Sequence, residues 1–306
     1  MTEPLRVGTL ASPRILRSPH AQRQSFVDEI VSSGIDHVFV ADHVSFHVGT
    51  GMDALVNAAT LMAIDPRLRV CVGVYLLALR HPVTVARQLA TLAESAPGQL
   101  IFGVGVGGED RNEFAMCGVD PKTRGRRTNE CLEVVRGLLA GDPIDYRGEF
   151  FQFERAWIKP APDPPIPFVV GGRSSAAVER AARFANGWLG VWCSPKRFEA
   201  VVAEIDAHPE RDRSRPNLHG LQIWVGIDSD KDRAKQRLAK GMQDFYQTPF
   251  SAFEKYSPWG SAADVADFLR PYIDAGCRLF NIMPVARTEA EGIDTVAEIR
   301  RRLHEQ

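Results

Sequence analysis

Two adjacent residues, Asp42 and His43, carry side chains suited to moving a proton, and they close an apolar run at 37–41 (HVFVA). Histidine titrates near neutral pH, so His43 at a strand end reads as an acid or base. The plainer reading is a histidine hydrogen-bonded to a loop. Further along, Glu109 and Glu113 follow the glycine-rich stretch 103–108 (GVGVGG). Each could act as an acid, or stand as a solvated loop carboxylate. His47 lies four residues after His43, but both fall in a loop without a third convergent ligand, so no metal site is expected. There is no G-x-S-x-G elbow and no activated cysteine context, which disfavours nucleophilic hydrolysis.

A second kind of chemistry is written into 167–188, PFVVGGRSSAAVERAARFANGW. It reads as strand, glycine turn and helix. Gly171 and Gly172 permit a close turn, and Ser174 or Ser175 can cap a helix with Ala177, Val178, Ala181 and Ala185 inward and Glu179, Arg180 and Arg183 outward. Amides at a helix start favour an anion, and Arg173 adds a planar fork suited to phosphate. Gly171, Gly172, Arg173 and Ser174 thus form a candidate phosphate clamp; the alternative is a turn whose glycines serve packing only. Gly103-x-Gly105-x-x-Gly108 matches the dinucleotide fingerprint, yet it lies inside a strand with no helix promptly after it. It reads better as a flat rim (Gly105, Val106, Gly107, Gly108) on which a planar ring or a phosphate chain can lie.

The elements that must position these residues follow from the apolar pattern. Short apolar runs near 7–10, 37–41, 69–77, 100–106, 168–170, 188–192, 221–227 and 279–283 predict eight strands. Helical periodicity separates them, with Pro82, Gly34 and Gly276 as start and stop signals. Ser261 and Asp264 form a capping pattern. Gly73 inside the third run marks a bulge or a close ligand. Between Gly141 and Pro167 the rhythm gives way to prolines and aromatics, predicting a hairpin and an extended connection. Such alternation predicts an α/β fold, a (β/α)8 TIM barrel in one domain over 1–306 with insertions at 141–167 and 244–260; an open doubly wound sheet is the alternative. The barrel rule puts chemistry at the C-terminal strand ends, which adds Gly73, Val74 and Trp192 to the site. Phe46, Tyr75, Trp192 and Trp224 could line a pocket, but each taken singly reads more readily as core.

The 306 residues carry a formal net charge of -1, which argues against a nucleic-acid partner. Five scattered cysteines without a C-x-x-C suggest reduced thiols. No signal-peptide pattern or membrane-length apolar run is seen, so a cytoplasmic protein acting on a small molecule is expected.

Taken in order, VFVADHVSF, VGVYLLALRHPVTVARQLATL, QLIFGVGVGG, PIPFVVGGRSSAAVERAARFANGW and GSAADVADFLRPYIDAGCRLFNIMPV resemble the luciferase-like monooxygenase superfamily, whose members bind FMN or the deazaflavin coenzyme F420. The resemblance implies a non-prolyl cis peptide at Gly73–Val74 behind the cofactor ring. It also implies phosphate binding at Gly171, Gly172, Arg173 and Ser174. The pair Asp42-His43 resembles the deazaflavin branch, implying an F420-dependent hydride transfer with His43 handling a proton and Glu109 or Glu113 as the acid. The alternatives are an FMN-dependent monooxygenase, a catalytically silent flavin-binding relative, and, outside the family, a phosphosugar lyase barrel. A homodimer is expected by analogy.

Overall fold

The computed structural model describes residues 3–47, 49–108 and 110–305. Its strands are β1 (Arg6–Leu10), β2 (His37–Val40), β3 (Val70–Leu76), β4 (Leu100–Gly105), β5 (Phe168–Gly171), β6 (Gly187–Gly190), β7 (Gly220–Ile227) and β8 (Leu279–Val285). Helices separate them, and the fold is a (β/α)8 barrel, not the open sheet. Every residue of β2, β4 and β6 is buried, which is why these strands read as unbroken apolar runs rather than as alternation. Among the described residues no helix is long and apolar enough to cross a membrane.

The chain divides into two compact units, residues 1–39 with 187–306, and residues 40–186. In the first, β1 pairs in parallel with β2 and β8, β8 with β7, and β7 with β6. Gly8 aligns with both His37 and Asn281, and the register is tight there: a Cβ on Gly8 would lie 2.3 Å from the His37 ring. Bare backbone at Gly8 lets His37 Nε2 reach Asn281 Oδ1 at 2.8 Å, giving the buried histidine a polar partner inside the sheet. Outside it, Trp188 packs on Phe198, and the buried Tyr272 donates its hydroxyl to the Cys193 carbonyl at 2.7 Å. The helix Ala262–Asp274 starts at a capping box of Ser261 and Asp264.

In the second unit β3, β4 and β5 pair in parallel, and the helices Pro82–Ser95 and Arg124–Leu139 pack against each other. Strands Ile144–Arg147 and Gln152–Ala156 form an antiparallel hairpin. Three local features differ from the sequence expectation. The segment after Asp42 is not a plain loop but a small hairpin, His43–Phe46 with Thr50–Met52. After β4 a short helix, Arg111–Met116, follows where no prompt helix was expected, and precedes the long one, Arg124–Leu139. Arg180, expected outside, is buried, because its Nε donates to Asn129 Oδ1 at 2.6 Å and its Nη2 to the Gly125 carbonyl at 3.3 Å.

Gly103 in β4 has no room for a side chain, since a Cβ there would stand 2.1 Å from the Val72 carbonyl oxygen. Backbone cannot yield as a side chain can. Gly103→Ala is therefore expected to cost about 1–3 kcal/mol through overpacking; denaturant titration checks it, and an unchanged midpoint would refute this account of the β3–β4 contact.

Candidate active site

His43 opens the small hairpin, and its Nδ1 lies 3.2 Å from both carboxylate oxygens of Glu113. Glu113 Oε1 also accepts the backbone amides of Val44 at 2.7 Å and Ser45 at 3.2 Å. That carboxylate is 1% exposed, so it needs these donors to be stable there. Facing an acceptor, Nδ1 must carry a proton, which leaves Nε2 as the nitrogen able to exchange one. Asp110 caps the Glu113 helix and accepts the His47 amide at 2.7 Å, so two acids of one short helix grip the hairpin backbone. Phe46 stacks on the His43 ring with centroids 4.1 Å apart. Of the two glutamates, Glu113 is thus neither solvated nor in a loop; Glu109 lies outside the described residues.

Asp42, one residue before His43, is committed elsewhere. Its carboxylate accepts both terminal nitrogens of Arg80, at 2.7 and 2.8 Å, and the amides of Leu76 and Ala54, at 2.9 and 3.2 Å. Both oxygens face donors, the arrangement of an ionised carboxylate. Burial pushes its carboxyl above the ordinary value, against the pull of the guanidinium and the two amides. Arg80 in turn lies over the Tyr75 ring at 4.4 Å. The pair ties the end of β2 to the end of β3 and to the start of the helix Ala54–Met62, and so fixes where His43 emerges.

Within β3 the Gly73–Val74 peptide is cis, where the family resemblance put it, and the register with β4 shifts between Val72 and Tyr75. Val74 fits against two glycines: a Cβ on Gly105 would lie 2.4 Å from a Val74 methyl, and one on Gly171 would lie 3.1 Å from the other. These glycines therefore seat Val74. Beyond partly buried Val106, Gly107 and Gly108 have φ of 60° and 118°. Gly108 makes room for Arg124, whose Nε would be 2.8 Å from a Cβ there. Arg124 Nη1 donates to the Pro121 carbonyl at 2.7 Å, while its buried Nε has no hydrogen-bond partner among the described residues. At the end of β5, Gly171 and Gly172 lead to exposed Arg173, and Ser174 rather than Ser175 caps the helix Ser175–Phe184, accepting the Ala177 amide.

Asp42, His43, Glu113, the Gly73–Val74 turn, the 105–108 rim and the 171–174 turn all belong to residues 40–186. Trp192 belongs to the other unit, where its ring meets Phe253 at 4.8 Å and Tyr246 at 5.0 Å, forming an aromatic wall. Sequence reasoning missed Arg80 and Arg124. Arg124 opens the run RGRR, which reads as a solvated charge cluster. A signal for the Glu113 helix was available, since Asp110 and Glu113 have capping-box spacing. Among the described residues no group of three or more His, Cys, Asp or Glu could hold a metal. Burial pushes the Cys131 and Cys277 thiols up to about 12, which suits packing rather than nucleophilic attack.

The family model described as luciferase-like monooxygenase matches residues 5–277. An uncharacterized protein of Mycobacterium tuberculosis is 36% identical over 154 residues, 50% of this chain and 53% of that protein, so the chain spans about half its length. An F420-dependent glucose-6-phosphate dehydrogenase of Microbacterium testaceum is 30% identical over 249 residues, 78% of this chain and 73% of that one. Among solved structures, an F420-dependent secondary alcohol dehydrogenase in complex with an F420-acetone adduct superposes with a TM-score of 0.84 and 20% identity, covering 99% of this chain and all of that one. This last likeness shows the fold.

The Asp42–Arg80 pair yields a test of its positioning role. Asp42→Ala removes the bidentate partner of Arg80, 16% exposed, and leaves it only Asp53, 3.4 Å from one guanidinium nitrogen, so a cost of about 3 kcal/mol is expected. The double variant Asp42→Leu/Arg80→Met should recover part of it. Urea unfolding of the three proteins measures this; a single-variant cost below about 1 kcal/mol, the level of a surface pair, would contradict the role.

Proposed function

The chain belongs to the luciferase-like monooxygenase family, and from that membership we propose that it is an oxidoreductase transferring a hydride between the deazaflavin coenzyme F420 and a small organic substrate. The observation that carries this reading is the His43–Glu113 pair, a proton-handling couple held in the same unit as a glycine-seated cis turn. The features present fit such a coenzyme. The Gly73–Val74 segment and the glycines at 105–108 offer backbone to a planar ring, and Arg124, packed at Gly108 with a buried Nε lacking a partner among the described residues, offers a donor to an anionic group. When bound, the coenzyme supplies a carbon centre that accepts or gives a hydride.

The chain's own residues then divide the work. Val74 and the glycines at 105–108 would hold and orient the ring, while Gly171, Gly172, Arg173 and Ser174, with Arg124 as a further donor, would take the phosphate. His43 Nε2 accepts the proton of a substrate hydroxyl as its carbon loses hydride, or returns it in the reverse direction. Glu113 holds the ring through Nδ1 and keeps Nε2 available. Asp42 acts one step back, by fixing the strand end. A homodimer working in the cytoplasm on a small molecule, with no nucleic-acid or membrane partner, belongs to the same proposal.

The test is cofactor choice followed by turnover. Titration with purified F420 should quench its fluorescence at micromolar concentrations, with weaker binding of FMN; a tight FMN complex without F420 binding would replace this reading with an FMN-dependent monooxygenase. With a turned-over substrate in hand, His43→Ala should lower kcat on the order of 10²–10⁴-fold while F420 affinity stays within about threefold. Unchanged turnover in that variant would point to a silent cofactor-binding protein.

A further inference from the structure

Within residues 1–39 and 187–306 a cavity of about 650 Å³ opens at the ends of β1 and β8, of which Leu10 and Val285 are the last residues. Its size falls in the roughly 300–1,000 Å³ range of small-molecule sites. Leu10, Phe26, Trp224, Val285 and Ile293 make its walls apolar, and Trp224 is held by a hydrogen bond from its Nε1 to the Tyr246 hydroxyl at 3.0 Å. Thr9 and Ser12 bring hydroxyls to the lining.

The charged groups at the rim are already matched. Glu289 accepts from Ser12 at 2.8 Å and pairs with Arg14. Arg287 stands 3.7 Å from Glu291, which also accepts the Arg287 amide at 3.1 Å. Both glutamates lie in the first turn of the helix Glu289–His304, where they answer its positive end. An incoming carboxylate or phosphate would compete with Glu289 or Glu291 for its arginine, and an incoming ammonium would meet Arg14 and Arg287.

We infer that this cavity binds an uncharged, largely apolar organic molecule bearing a hydroxyl or carbonyl group, in preference to phosphorylated or carboxylated compounds.

Two isosteric probes test it, cyclohexylmethanol and cyclohexanecarboxylate, each titrated against the full chain by ligand-observed NMR without cofactor. The alcohol should bind about tenfold or more tightly than the carboxylate, a gap of ~1.4 kcal/mol or more. Ala286→Trp, which fills the cavity from its lining, should abolish alcohol binding. Glu289→Ala, which unmasks Arg14, should bring the two probes within about threefold. Carboxylate binding as tight as the alcohol's in the unaltered protein, or alcohol affinity unmoved by Ala286→Trp, overturns the inference. F420 titration of the same samples keeps the two ideas apart. Alcohol binding without F420 binding would sink the hydride reading and support the cavity site. F420 binding without alcohol binding would do the reverse.

Discussion

A carboxylate removed from water must be met by donors, and the rest of the candidate site follows from how this chain meets that demand at Glu113. The Val44 and Ser45 amides and His43 Nδ1 all converge on it. Two of the three are backbone, so the hairpin that carries His43 cannot drift without stranding a buried charge. The imidazole is consequently held in one tautomer and one place, with Phe46 against its face. Orientation of this sort is what a proton-transfer residue requires before its acidity matters.

Two carboxylates close in space to one strand end take different roles because their partners differ. Asp42 faces a guanidinium in bidentate geometry and two amides, a set that saturates it and makes it a fixture. Glu113 faces amides and an imidazole, a set that includes one group able to change its charge. Adjacent sequence positions suggested an Asp42-His43 couple; the structure instead couples His43 to a residue seventy positions later and leaves Asp42 to anchor the frame. The glycines at 105 and 171 give room to Val74.

What could be read from the residues alone was whatever is local. Buried strands announce themselves as apolar runs because both faces are covered, and helix starts are written in Ser174 and Ser261, whose hydroxyls accept free amides, and in Pro82, which has no amide to satisfy. The non-local pairings were hidden. Arg80 is 38 residues from Asp42, and nothing in its neighbourhood marks it as the partner. Arg180 looks like a surface charge on a helical wheel until Asn129 and the Gly125 carbonyl, on a distant helix, supply acceptors. The hairpin His43–Phe46 with Thr50–Met52 is too short for periodicity to reveal, and its stability comes from Glu113 and Asp110 rather than from its own sequence.

The claim that Glu113 holds His43 with its proton on Nδ1 is most directly tested by nitrogen-15 NMR of the histidine side chains at a pH where the ring is neutral. The account predicts that His43 has its proton on Nδ1 and a bare Nε2, and that Glu113→Gln perturbs this pattern at His43 far more than at the other histidines. A His43 ring with its proton on Nε2, or one whose signals ignore Glu113→Gln, would contradict it.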